Sequence, residues 1–209
     1  MKGKIFNAQK VQAIISGDCT MFREVVKPQP RKDVLEYTVD RVNLIDRCPY
    51  KVGQEIFVKE SFVDFRNNNS DIFYKHDFEI NNGLDIVDLK WKPAQHMKQE
   101  HSRITLRIKE IRVERLADIS EEDAIKEGAT SRPNCNGYEN RYNGWSMDWS
   151  KVGEPSKWAS NGKTIAESDV CMGSAQYAFG NYWNATHKKP EHKFEANPWV
   201  FVYKFEVVK

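Results

Sequence analysis

The run at 103–116, RITLRIKEIRVERL, constrains the fold more than any other stretch of the chain. Ile104, Leu106 and Ile108 alternate with Thr105, Arg107 and Lys109, the period-two pattern of a strand with one apolar face. The alternation slips near Glu110 and resumes at Ile111 and Val113, which predicts a bulge. The chain closes on a second, aromatic-rich strand, PWVFVYKFEVV at 198–208. Strands so far apart in sequence can pair only over long range, and the pattern implies a closed or nearly closed barrel. Strands and helices do not alternate as βαβ units, which argues against a doubly wound parallel sheet. The fold class read from these patterns is α+β.

Around this frame, Asn7 can cap a helix that runs to about Ser16 with Val11, Ile14 and Ile15 on one face and Gly17 as its stop. Residues 28–54, punctuated by Pro28, Pro30 and Pro49, read as irregular. EIFVKESFVDF at 55–65 reads as a strand with Ile56, Val58 and Phe62 on one face and Phe57, Lys59 and Ser61 on the other. Glu60 falls on the mostly apolar face, where a carboxylate is costly unless paired, so it needs a partner or a role. RNNNSD at 66–71 reads as a turn and the stretch from there to Pro93 as a hairpin-like pair. SEEDAIKEG, at 120–128, reads as a helix with Ser120 as N-cap, Asp123 at the capping-box position and Gly128 as the stop. Residues 130–168 lack a period and read as a long loop insertion. Its Trp145, Trp149 and Trp158 either pin the loop to the body or offer stacking surfaces. A helix is expected over 168–187 with Met172, Ala175, Phe179, Tyr182 and Trp183 inward, despite Gly173 and Gly180.

The 209 residues suffice for one well-buried domain with an insertion, and the expectation is a single domain over 1–209. A net charge of +2 argues against a polycation that coats nucleic acid, while leaving room for a local basic groove. No apolar run approaches the roughly 20 residues of a membrane span, and MKGKIFNAQKVQ lacks the apolar core of a signal peptide, so a cytoplasmic protein without membrane partners is expected. Cys19, Cys48, Cys135 and Cys171 form no CxxC pair, and a disulfide framework is not expected of them. Cys171, His187 and His192 can be drawn together as a zinc site, but their spacing matches no closed-site pattern. The four thiols are expected to be buried or idle, and no metal or other cofactor is expected.

Several of these segments coincide with one family. The turn GDCTMFREVVKP at 17–28, the strand in PYKVGQEIFVKESF, the segment WKPAQHM, the run VERLADISEEDAIKEG and the ending NPWVFVYKFE resemble the ASCH domain of the PUA-like superfamily, in its phage- and prophage-encoded form. The resemblance spans nearly the whole chain apart from 130–168. It implies a small β-barrel flanked by helices, and RNA or modified nucleotides bound in a cleft beside the barrel. One branch of that family resembles an amidohydrolase of N4-acylated cytidine that uses a lysine, a threonine and a glutamate. Carried onto this chain, the lysine position is Cys19, the catalytic threonine position is Phe22 and the glutamate position is Glu127. Thr20 matches the threonine between them, and Arg23 an arginine common in the phage form.

A lysine of lowered pKa can deprotonate a threonine that attacks an amide, while a carboxylate orients the substrate. Phe22 can do neither job, so loss of the deacylase is the expectation. If the chain is enzymatic, the set left from the family pattern is Glu127 with Cys19 or Thr20. A Cys19 nucleophile would need a base such as His96 or His101; the alternative is a small apolar filler. What remains suits binding. The lining implied is Thr20, Phe22, Arg23, Lys59, Glu60, His96, Arg103 and Glu127: cations for phosphates, Phe22 for stacking a base, Glu60 and Glu127 for exocyclic amines. Lys27, Arg107 and Lys109 are further phosphate candidates or a solvated face. The expected function is binding of RNA or a nucleotide-like ligand. The alternatives are an enzyme, amidohydrolase or RNase, and a module whose tryptophan-rich loop docks a protein partner.

Overall fold

The structure, a computed structural model, describes residues 1–30, 41–64, 72–75, 77, 90–133, 143–157 and 159–208. It is of mixed α+β class. Its strands are β1 (Lys2–Ile5), β2 (Met21–Val25), β3 (Glu55–Lys59), β4 (Phe62–Asp64), β5 (Ile72–Tyr74), β6 (Thr105–Arg115), β7 (Thr130–Pro133), β8 (Asn143–Ser146) and β9 (Trp199–Val207). The helices discussed below are α1 (Ala8–Ile15), α2 (Arg41–Asp46), α3 (Glu121–Lys126), α4 (Glu167–Val170) and α5 (Ala175–Thr186). The main sheet runs β1-β3-β6-β9-β2, with β1 parallel to β3 and β3 antiparallel to β6. This ladder ends at β1 and β2, so the five strands form an open sheet and the expected barrel closure is absent among the described residues.

The chain gathers into two compact units. Unit 1 comprises Met1–Gly17, Tyr50–Glu110 and Lys204–Lys209; unit 2 comprises Asp18–Pro49 and Ile111–Tyr203. In unit 1, α1 starts as its sequence dictates: the Asn7 side chain accepts the Lys10 N–H at 2.9 Å. Gly17, at φ +83°, provides the stop. Val11 and Ile14 are buried, but Ile15 is exposed, because it lies 100° around the helix from Ile14. The expected strand at 55–65 is divided into β3 and β4 by Glu60 and Ser61. Along β6, Leu106 and Ile108 are buried, Lys109 and Glu110 are both exposed, and burial resumes at Val113, so the slip in alternation is real. The turn at 66–71 lies outside the described residues, as does most of the hairpin read after it; its described parts are β5 with residues 75, 77 and 90–93, and β5 pairs with β4.

In unit 2, Met21, Val25, Leu116, Ile119, Ala124, Ala129, Ala175, Phe179, Trp183, Val200 and Val202 form one buried cluster. The stretch 28–54 is less irregular than expected, since it holds α2. The helix expected over 168–187 is broken. The Met172 backbone exchanges both hydrogen bonds with Trp145, at 2.8 and 2.7 Å, which no helical residue could do, and α5 restarts with Ser174 as its N-cap. Glu121 accepts from the Ala175 and Gln176 N–H groups, at 2.7 and 3.2 Å, and completes the cap. Gly180 is explained by its surroundings: a Cβ there would lie 3.2 Å from the Phe194 ring. The insertion also carries more order than expected. β7 and β8 pair antiparallel from Thr130↔Ser146 to Pro133↔Asn143. The Trp149 indole N–H donates to the Thr130 hydroxyl at 3.0 Å, a bond within the insertion, and Trp145 packs against the cluster, so Trp145 pins the segment to unit 2. Trp158 lies outside the described residues.

Candidate functional site

The eight expected lining residues fall into two constellations, one in each unit. Lys59, Glu60, His96 and Arg103 belong to unit 1; Thr20, Phe22, Arg23 and Glu127 belong to unit 2.

In unit 1, Glu60 has the partner its inward position demands. Arg103 grips it through two parallel bonds, Nε to Oε1 at 3.0 Å and Nη2 to Oε2 at 2.9 Å. Nη1 of the same guanidinium donates to Asp77 at 2.8 Å, and its carbon lies 4.0 Å above the Tyr74 ring centroid. Burial would lower the Arg103 pKa, but Glu60 and Asp77 outweigh it and hold the group above its ordinary value. The WKPAQHM segment is stitched to the strands beside it. Phe62 and Lys92 exchange backbone bonds at 3.2 and 2.9 Å, and the Lys59 ammonium donates to the Gln95 carbonyl at 3.1 Å. Lys59 and Lys92 also lie over the Phe57 and Phe62 rings, at 5.6 and 5.7 Å. His96 is exposed, its Nε2 3.2 Å from the Gln95 side-chain amide. His101 is buried, with Nε2 3.4 Å from both Asp64 and Glu100. Between residues 90 and 103 stand four cations, Lys90, Lys92, Lys98 and Arg103, and one carboxylate, Glu100. Among the described residues none of Lys90, Lys92 and Lys98 is paired with a carboxylate, and all three are exposed.

In unit 2, the GDCTMFREVVKP turn leads into β2 alongside the end of α3. Cys19 bridges to Glu127, and the Thr20 N–H donates to the Lys126 carbonyl at 2.9 Å. Cys19 is 1% exposed and its thiol donates to the Met21 carbonyl at 3.2 Å, which suits the filler reading. Phe22 is buried and stacks on Tyr203, centroids 4.6 Å apart. Arg23 has a fully buried side chain that binds three carboxylates: Glu114 at 2.7 Å, Glu127 at 2.8 Å and Asp123 at 3.1 Å. Arg112 adds a second cation on Glu114 and Asp123, and the Phe179 ring lies 5.6 Å from the Arg23 guanidinium. Burial lowers the Arg23 pKa, but Glu127 and Glu114 more than offset it, so the arginine stays charged. Nε of Arg23 is buried without an acceptor.

The sequence did not mark Glu114, Arg112, Asp77 or Tyr74. Asp123 was read as a capping-box residue; its backbone N–H does donate to Ser120 at 3.1 Å, but its carboxylate serves the arginines instead. Arg112 and Glu114, two apart on β6, share a face, and that was the available signal. The zinc set, which its spacing already disfavoured, is ruled out because Cys171 is disulfide-bonded, and that bond also runs against the expectation of no disulfide. Cysteines this widely spaced meet only through tertiary structure, which spacing does not reveal. No group of three metal-ligating side chains occurs among the described residues. No helix among them is long and apolar enough to cross a membrane.

No family model and no curated protein matches the chain. A search of solved structures finds a likeness to the crystal structure of protein EF3133 from Enterococcus faecalis V583, described under family model DUF984. The identity is 10% and the TM-score 0.40, over 100% of this chain and 81% of that one.

Proposed function

We propose that this chain is an ASCH-type, PUA-like protein that binds a nucleic acid or nucleotide-like ligand without hydrolysing it. The observation that carries the reading is the basic segment of unit 1. Three exposed lysines, Lys90, Lys92 and Lys98, have no carboxylate partner among the described residues, on a stretch fastened to β3 and β4. Unpaired, exposed cations on a fixed backbone suit phosphate contacts, which give affinity without base sequence. Lys59, with His96, extends the same segment through its bond to Gln95. In unit 2, Arg23 and Glu127 brace the turn that carries Thr20, and their mutual charge neutralisation suits a scaffold better than a phosphate contact.

Absence of the deacylase follows from chemistry. Phe22 has no nucleophile, and its ring is committed to Tyr203. Cys19 is sealed from solvent at 1% exposure. Residual hydrolysis would have to run through Thr20 and a Glu127 already bound to Arg23. A thermal-shift screen of the full chain against nucleosides, nucleotides, cyclic nucleotides and short RNA and DNA tests the reading. A ligand that binds only the folded state raises Tm in proportion to the logarithm of its concentration over Kd. A shift with phosphate-bearing ligands is expected. A flat screen refutes binding, and turnover of N4-acetylcytidine refutes the lost activity.

A further inference from the structure

We propose that Lys59 is a positioning residue for the basic segment of unit 1 and not a phosphate contact, and that Gly3 is the seat that lets it act so. The inference rests on the nucleic-acid reading above and assigns a role within that site. Phe57 and Lys59, two apart on β3, share one face of the strand. β1 runs parallel beside them, with Gly3 opposite Phe57 and Ile5 opposite Lys59. Gly3 has no side chain to fill the space on that face, and its two neighbours close over it. A Cβ on Gly3 would lie 2.5 Å from Cε of Lys59 and 2.6 Å from Cζ of Phe57. Both distances fall well inside the roughly 3.5–4.0 Å at which carbon atoms pack. From this seat the Lys59 ammonium stands 5.6 Å from the Phe57 ring centroid and donates to the Gln95 carbonyl at 3.1 Å.

Gln95 lies in the middle of a short arc. Before it, Lys92 and Phe62 exchange backbone bonds; after it, Met97 is 1% exposed. Lys59 adds a fastening between those two points, and the Gln95 side-chain amide in turn lies 3.2 Å from Nε2 of His96. The run of contacts from Gly3 through Lys59 and Gln95 thus sets where an exposed imidazole stands, between Lys92 and Lys98 in the chain. The seat also separates Lys59 from the other lysines. Swinging out to a phosphate would cost Lys59 its carbonyl, its ring and its place over Gly3. Among the described residues the Lys92 and Lys98 ammonium groups hold no hydrogen bond, so they give up none. A segment fixed in advance loses less freedom when a ligand arrives, so a fastening adds affinity without touching the ligand.

The test follows a labelled single-stranded RNA binding to the full chain by fluorescence anisotropy over a salt series, which gives Kd and the slope of log Kobs against log salt. Lys59→Met keeps the stem and removes the ammonium; Gly3→Ala keeps the ammonium and fills its seat. Each should weaken binding by about three- to tenfold at fixed salt, the cost of ordering a loosened segment. Each should leave the slope within about 0.3 of the wild-type value, because the number of neutralised phosphates is unchanged. In the protein without RNA, amide exchange should quicken at His96 and Met97, whose N–H groups donate to Pro93 and Ala94, and hold steady at Lys92. Because Gly3→Ala also displaces the Phe57 ring and can cost stability, Lys59→Met decides where the two variants differ. A slope flattened by about 0.7 in Lys59→Met makes Lys59 a phosphate contact and overturns this proposal while leaving the binding reading intact. Unchanged affinity in Lys59→Met, or unchanged exchange at His96 and Met97, overturns it as well. Failure of the wild type to bind RNA overturns the binding reading itself, and this role with it.

Discussion

Replacing Arg23 by leucine should destabilise unit 2 heavily, and the structure says by how much. The arginine side chain has no solvent exposure and holds three carboxylates within 3.1 Å. Arg112 still covers Glu114 and Asp123 after the replacement, so the loss concentrates on Glu127, whose side chain is 2% exposed. Removing one partner of a buried ion pair and leaving the other charged costs about 3–5 kcal/mol. At about 2–4 °C per kcal/mol for a chain of this size, Tm should fall by about 6–20 °C. The double variant Arg23→Leu/Glu127→Leu removes both charges and should recover most of the loss, since an apolar pair of similar volume often replaces a buried ion pair at little cost. Urea denaturation followed by tryptophan fluorescence is the assay, because Trp145, Trp149, Trp183 and Trp199 lie in unit 2 and report on it. A loss below about 1 kcal/mol, the size of an exposed pair, would refute the reasoning. So would a double variant no more stable than the single one.

Three other outcomes follow from the same structure. Asn7→Ala removes the side-chain acceptor of α1 and should cost about 1 kcal/mol in urea denaturation. Phe179→Ala, at a 1% exposed ring in the unit 2 cluster, should cost about 3–5 kcal/mol and lower Tm accordingly. Asp169 is held below its ordinary pKa by the backbone N–H of Ala166 and by Ser160. A depressed folded pKa contributes stability that is present above the unfolded value and is lost as pH falls through the folded one. Amide exchange at Ser160 and Ala166 should therefore accelerate below about pH 4 relative to the rest of unit 2, and Asp169→Asn should abolish that pH dependence.

What the sequence revealed was local. The Asn7 and Ser120 caps, the alternation of β6 and the inward Ala175, Phe179 and Trp183 depend on neighbours within a turn or two, and each stands in the structure. Glu60 was legible as a residue in need of a partner; that the partner is Arg103, 43 positions away, was not. The same limit hid the Arg23 network, whose members come from β2, β6 and both ends of α3, and the Met172–Trp145 pairing that breaks the long helix. Barrel closure was inferred from strands at both ends of the chain, but long-range pairing alone does not fix whether β1 and β2 meet. Burial separated residues that looked alike in sequence: Arg23 is sealed within carboxylates, whereas Lys92 and Lys98 are open.

The measurement that bears most directly on the binding claim is the salt dependence of affinity for a labelled single-stranded RNA. With about two to four phosphates neutralised, log Kobs should fall against log salt with a slope of about −1.4 to −2.8. The double variant Lys92→Glu/Lys98→Glu should weaken binding and flatten that slope by about 1.4 or more. Affinity that ignores salt, or that the double variant leaves unchanged, would contradict a phosphate-binding face on the basic segment of unit 1.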